Sequence, residues 1–207
     1  MYKAVLWDFG GVITSSPFEA FNRYELAQRI PKDFIRKVNS TNPDNNAWAK
    51  LESNEITLQE FDAAFASEAK ALGQNVRGQD VLALLSGSIR PEMVKALKLI
   101  KSKFKIACIT NNVKSNSDHK PQQSITEVLS IFDHVIESSK VGIRKPDPQI
   151  YLLACKTLEI EPNEAVFLDD LGINLKPARA LGMTTIKVTD ASTALSELSS
   201  ILEMDLL

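Results

Sequence analysis

Apolar positions fall into two rhythms along the chain. Five short runs, Tyr2–Trp7, Lys105–Ile109, His134–Ile136, Ala165–Leu168 and Thr184–Val188, have the length and partly β-branched or aromatic content of buried strands. From residue 91 onward these runs alternate with segments of helical period: Pro91–Lys101, about Gln123–Ser130, Gln149–Leu158 and Leu175–Ala180. Pro91 and Pro177 suit the first turn of a helix, where a missing N–H costs little. Gly182 suits a C-terminal stop. Repeated strand–helix–strand units predict a five-stranded parallel sheet covered by helices on both faces.

Between residues 16 and 88 the rhythm changes. Phe18–Ile30, Asp33–Val38, Ala47–Leu51, Leu58–Leu72 and Gln79–Leu85 are amphipathic, and no strand-like run interrupts them. Thr57 followed by Glu60 predicts a capping box at the head of the fourth segment. The chain therefore divides into an α/β core, 1–15 with 89–207, and an inserted helical module, 16–88.

Composition narrows the function classes. The 24 basic and 26 acidic residues give a formal net charge of −2, with no basic block to suggest a nucleic-acid surface. No run approaches the ~18 apolar residues of a membrane span. The first apolar run ends in Asp8, unlike a secretory signal. Cys108 and Cys155 lie in apolar runs and read as small core residues. A soluble cytoplasmic protein is expected, with monomer and homodimer equally open.

Open parallel sheets bind ligands at the carboxyl ends of their strands. The residues there are Asp8 after the first run, Thr110-Asn111-Asn112 after the second, Lys140, Arg144 and Lys145 after the third, and Asp169-Asp170 after the fourth. Each alone reads as well as a turn residue, a cap or a solvated charge. Two adjacent acids after a buried strand are costly unless a cation offsets their repulsion, and oxygen donors with water suit Mg²⁺. An Asp beside Mg²⁺ and facing a lysine can attack a phosphoryl group.

The order D-F-G-G-V, I-T-N-N, R-K-P-D-P-Q-I-Y and F-L-D-D-L-G-I-N resembles the haloacid dehalogenase superfamily, with the motifs spanning residues 8 to 174. The stretch from VIESSKVGIRKPDPQIY through FLDDLGINLKPARALGM is similar to the phosphatase domain of soluble epoxide hydrolases and to small bacterial phosphatases. This resemblance implies a Rossmann-like doubly wound fold and a Mg²⁺-dependent phosphatase for a small phosphorylated metabolite. It makes Asp8 the nucleophile and a metal ligand, with the Gly10 carbonyl and Asp170 completing the protein's metal ligands. It assigns Thr110 and Asn111 to the phosphoryl oxygens and Lys145 to neutralising nucleophile and phosphate. Asp169 and Asn174 support the metal site, and segment 16–88 becomes a cap closing over it.

One position departs from the family pattern. Motif one usually carries a second Asp as general acid and base, where this chain has Gly10. Such a loss costs about 10²–10⁴-fold. A low-pKa leaving group, or another residue such as His119 in the loop Lys114–Lys120, would compensate. Two further readings follow: a catalytically silent phosphate- and metal-binding module, and a metal-free 2-haloacid dehalogenase, which the adjacent acids oppose.

Overall fold

The five apolar runs become the strands of one parallel sheet. A computed structural model of the chain describes residues 1–85, 87–112 and 123–207. The strands are β1 Ala4–Trp7, β2 Lys105–Thr110, β3 His134–Glu137, β4 Ala165–Asp169 and β5 Thr184–Lys187, in spatial order β3-β2-β1-β4-β5. The first strand in sequence is thus the central one, flanked by β2 and β4. In register, Val5 lies between Ile106 and Val166, and Trp7 between Cys108 and Leu168.

Side chains alternate between two apolar layers. Val5, Trp7, Ile106, Cys108, Val166 and Leu168 pack against α6 (Pro91–Lys101), α7 (Gln123–Leu129) and α11 (Ala191–Leu202). Ala4, Leu6, Ala107, Ile109 and Phe167 pack against α9 (Pro148–Leu158) and α10 (Gly172–Ala180). Burial on both faces explains why the strands read as continuous apolar runs rather than alternating ones. Both cysteines are buried thiols in these layers.

Two expectations need correction. Helix α10 begins at Gly172, so Pro177 lies in its second turn, not its first. The carbonyl that loses a donor there belongs to Ile173, an exposed residue, so water can replace the bond. Helix α11 has no counterpart in the sequence reading, although Ala191, Ala194, Leu195, Leu198 and Leu202 recur at helical spacing and are buried. Asp190 caps it, accepting from the Thr193 N–H at 2.8 Å.

Between β1 and α6 run five helices: α1 Pro17–Ala27, α2 Phe34–Ser40, α3 Ala47–Glu52, α4 Leu58–Ala71 and α5 Gly78–Ala83. They gather their own apolar cluster, built on Phe21, Phe34, Ile35, Leu51, Phe61, Phe65 and Val81. Phe61 is fully buried there, with Trp48 edge-on to its ring at 5.4 Å. The chain leaves and re-enters the sheet region side by side: Ser15 N–H donates to Ser88 O at 2.8 Å and Arg90 N–H to Ile13 O at 2.9 Å.

The capping box forms as read. Thr57 Oγ1 accepts from the Glu60 N–H at 3.2 Å, and Glu60 Oε2 accepts from the Thr57 N–H at 2.8 Å. Thr57→Ala is expected to cost about 1 kcal/mol, measurable as a lowered urea midpoint with an unchanged slope.

Candidate active site

Because β1 and β4 pair with Trp7 opposite Leu168, the residues that follow, Asp8 and Asp169, emerge side by side. The Asp8 N–H extends the ladder to Leu168 O at 2.8 Å. Asp8 Oδ1 accepts from the Phe9 N–H at 2.7 Å and from Lys145 Nζ at 2.8 Å. Asp169 is completely buried. Its Oδ1 accepts from the Leu171 N–H at 2.8 Å and its Oδ2 from Lys145 Nζ at 2.8 Å, and Asn174 Nδ2 donates to both oxygens at 3.1 and 3.0 Å. Asp170 is more open, with a long 3.4 Å bond from Ser16 Oγ. One carboxylate oxygen from each of Asp8, Asp169 and Asp170 falls within 4.8 Å of the others.

The electrostatics follow from crowding. Burial pushes the Asp8 carboxyl well above the usual carboxylate range; Lys145 pulls it back, and Asp169 and Asp170 add to the rise. Asp170 is pushed up to about 6, by burial first and by Asp169 second. Burial alone would lower the Lys145 ammonium, but Asp169 and Asp8 outweigh it and hold the lysine above its ordinary value. Among the described residues, one ammonium thus faces three carboxylates. The formal excess matches what a divalent cation would neutralise.

The three basic residues after β3 have different surroundings. Lys140 is exposed and pairs with Glu137. Arg144 pairs with Glu52, at the end of α3, at 2.8 Å. Lys145 alone is buried, 1% exposed, with its ammonium 5.6 Å from the centre of the Phe167 ring. Its main chain is gripped by Asn111, whose Oδ1 accepts from the Lys145 N–H at 2.8 Å and whose Nδ2 donates to the Lys145 carbonyl at 2.9 Å. A side-chain amide here does what a neighbouring strand's backbone would do. The Asn111 side chain is therefore committed to Lys145, and any phosphoryl contact at this position falls to its main chain. Thr110 closes β2 beside it.

The turn after Asp8, Phe9–Ile13, closes with the Thr14 N–H donating to Phe9 O at 3.0 Å. Its two glycines are not equivalent. Gly11 has φ +76°, and a Cβ there would lie 2.2 Å from Asp170 Oδ2. Gly10 has φ −69°, ordinary for any residue, and a Cβ there would meet nothing within 4 Å.

The strand ends thus bring together Asp8, Asp169, Asp170 and Lys145, with Asn111 and Asn174 bonded to members of that group. His119 and the loop Lys114–Lys120 lie outside the described residues. Three contacts escape the sequence reading: Ser16 on Asp170, Glu52 on Arg144 and Glu52 on Asn111. None has a local signal, since the partners are 154, 92 and 59 positions apart.

A five-stranded parallel sheet covered on both faces, with a lysine-paired aspartate after its central strand, places the chain among doubly wound α/β proteins. Residues 2–182 match the haloacid dehalogenase-like hydrolase family, and the chain belongs to it. It is 35% identical over 213 residues to bifunctional epoxide hydrolase 2 of Mus musculus, covering 96% of this chain but 38% of that protein's length. It is 26% identical to a sesquiterpene phosphatase of Aspergillus oryzae, over 95% of each chain. The structure of a HAD family enzyme from Bacteroides thetaiotaomicron, solved with magnesium and inorganic phosphate, aligns with a TM-score of 0.64. That alignment covers 96% of this chain and 99% of the other at 21% identity, a likeness of fold. Among the described residues no helix is long and apolar enough to cross a membrane.

The glycines separate in a stability assay. Gly11→Ala is expected to cost at least about 1–2 kcal/mol from backbone strain alone, before the clash with Asp170. Gly10→Ala is expected to be neutral or stabilising, by up to about 1 kcal/mol. Equal melting temperatures for the two variants would contradict the turn geometry.

Proposed function

We propose that the protein is a Mg²⁺-dependent phosphomonoester hydrolase for small phosphorylated molecules, working through an aspartyl-phosphate on Asp8. The observation that carries this reading is the shared Lys145 ammonium, 2.8 Å from both Asp8 and Asp169, beside a third carboxylate. A cluster of oxygen donors with excess negative charge fits Mg²⁺. Asp8, Asp170 and the Gly10 carbonyl would hold the ion, and Asp169 and Asn174 would steady them. Bound there, Mg²⁺ would neutralise phosphoryl charge and draw the ester towards Asp8.

The chain's own groups divide the remaining work. Asp8 Oδ1 is held by Phe9 and Lys145, which leaves Oδ2 to attack phosphorus. The bond from phosphorus to the leaving oxygen breaks, and the electron pair departs with that oxygen. Water then attacks the same phosphorus, the bond to Asp8 breaks, and phosphate and the free carboxylate result. Lys145, the Thr110 hydroxyl and the Asn111 main chain meet the phosphoryl oxygens. The helical segment 16–88 acts as a cap, excluding water and choosing the substrate.

Gly10 sets the preference among leaving groups. With no acid at that position, aryl, acyl and anomeric phosphates, whose leaving oxygens need a proton least, are the fastest substrates. Gly10 also favours a second reading, a silent module that binds Mg²⁺ and phosphate without turnover. A metal-free dehalogenase fits poorly, because the Lys145 ammonium alone would then face three carboxylates.

Wild-type protein is expected to release phosphate from p-nitrophenyl phosphate only with Mg²⁺ present. Asp8→Asn should abolish the release while leaving the fold intact. Gly10→Asp, for which the turn has space, should raise turnover of alkyl phosphates more than of aryl phosphates. Thermal stabilisation by Mg²⁺ with phosphate, but no turnover across a wide substrate panel, would establish the silent module instead.

A further inference from the structure

The Lys145 loop is held from two sides. From the α/β core, Asn111 pairs with both main-chain polar groups of Lys145. From the inserted helices, Glu52 reaches the same place. Its Oε2 accepts from Arg144 Nε at 2.8 Å and from Asn111 Nδ2 at 3.3 Å, with Arg144 Nη2 in ion-pair contact at 2.8 Å. Its Oε1 accepts from Trp48 Nε1 at 2.9 Å. Arg144 Nη1 also donates to Pro43 O at 3.1 Å. Glu52 thus touches the residue that precedes Lys145 and the side chain that grips its backbone.

We propose that Glu52 is a positioning residue: through Arg144 and Asn111 it makes docking of the inserted helices and placement of the Lys145 ammonium a single event. This deepens the hydrolase reading and rests on it, because Lys145 matters to catalysis only if Asp8 is the nucleophile. The carboxylate is unsuited to the proton donation missing at Gly10. Three N–H donors, from Arg144 Nε, Asn111 Nδ2 and Trp48 Nε1, meet its two oxygens beside the Arg144 charge and favour the ionised form, against the burial that raises this carboxyl. The pair is mostly buried, with the Glu52 side chain 9% and that of Arg144 20% exposed, so removing either partner strands the other away from water. A change at Glu52 loosens Arg144 and weakens one of the two acceptors of Asn111 Nδ2, which gives the Lys145 backbone room to shift. A shift of an ångström at the reacting centre is enough to cost up to about 10²-fold in rate.

The test combines kinetics with amide hydrogen exchange on the full chain. In Glu52→Gln, kcat on p-nitrophenyl phosphate with Mg²⁺ should fall about tenfold while KM changes less than about twofold. Exchange at Lys145, whose N–H is bonded to Asn111, should accelerate, with β2 amides Ile106–Ile109 unchanged. Adding Arg144→Gln to Glu52→Gln should cost no more than either change alone. Asp62→Asn, which breaks the exposed Arg77 pair elsewhere in the inserted helices, serves as the control and should leave kcat unchanged. If Glu52→Gln does not fold, Arg144→Lys takes its place, keeping the charge and losing the planar fork. Unchanged exchange at Lys145, acceleration spread across the sheet, or local acceleration with full kcat would each overturn the proposal. A wild type inactive on every phosphate ester would overturn the hydrolase reading alone, and the exchange comparison would still decide the latch.

Discussion

A single buried ammonium organises this molecule's carboxyl-end edge. Lys145 sits between Asp8 and Asp169, which close the two central strands β1 and β4. Without it, two acids would stand side by side in the interior, each costing several kcal/mol to desolvate. The lysine in turn is tolerable only because both carboxylates answer it. That mutual dependence ties three distant stretches of chain, around residues 8, 145 and 169, to one point. It also explains the effort spent on the lysine's backbone: Asn111 uses a whole side-chain amide to hold Lys145 as a strand would. Behind Asp169, Asn174 steadies both oxygens, and the Tyr151 hydroxyl donates to the Asn174 carbonyl at 2.7 Å.

The third acid is accommodated differently. Among the described residues Asp170 has no lysine within contact, and it lies against the bare Cα of Gly11, where a Cβ would be 2.2 Å from its Oδ2. The left-handed glycine and the third carboxylate therefore depend on each other: the turn brings Asp170 close because Gly11 has no side chain. Gly10, one residue earlier, satisfies no such demand. Its backbone is ordinary and its surroundings are open, so neither the turn's shape nor its packing excludes a side chain there. Under the proposed hydrolase reading, the missing carboxylate would alter the supply of protons to a leaving group, a matter of chemistry and not of folding.

Most of this was legible in the sequence for one physical reason. A parallel sheet buried on both faces writes its strands as continuous apolar runs, and its ligand site gathers where those runs end. Asp8, Thr110, Asn111, Asp169 and Asp170 could thus be found from where the runs stop. Lys145 stood among three cations of one loop, and the fold separates the exposed Lys140 and the paired Arg144 from the buried one. Side-chain use was harder to read. Nothing in the sequence shows that the Asn111 side-chain amide holds a main chain 34 positions away. Pro177 looked like a helix start because a proline in a second turn is costly, and only the exposure of Ile173 shows how that cost is lessened. Helix α11 carries a helical period in small and leucine residues, but the serines between them obscured it.

The inserted helices are held in two unlike ways. On one side they are joined covalently, through a pair of strands bridged at Thr14 and Ile89 and packed so closely that a Cβ on Gly87 would lie 2.6 Å from Ser15 O. On the other, among the described residues, Glu52 and Pro43 make polar contacts with Arg144 and Asn111. Parting on that side breaks hydrogen bonds and one mostly buried ion pair, whereas the bridged segments around Thr14 and Ile89 do not part without unfolding the turn after Asp8. Motion of the inserted helices would therefore pivot on residues 14–16 and 87–89. It would open at the Arg144 side, where the loop that opens carries Lys145.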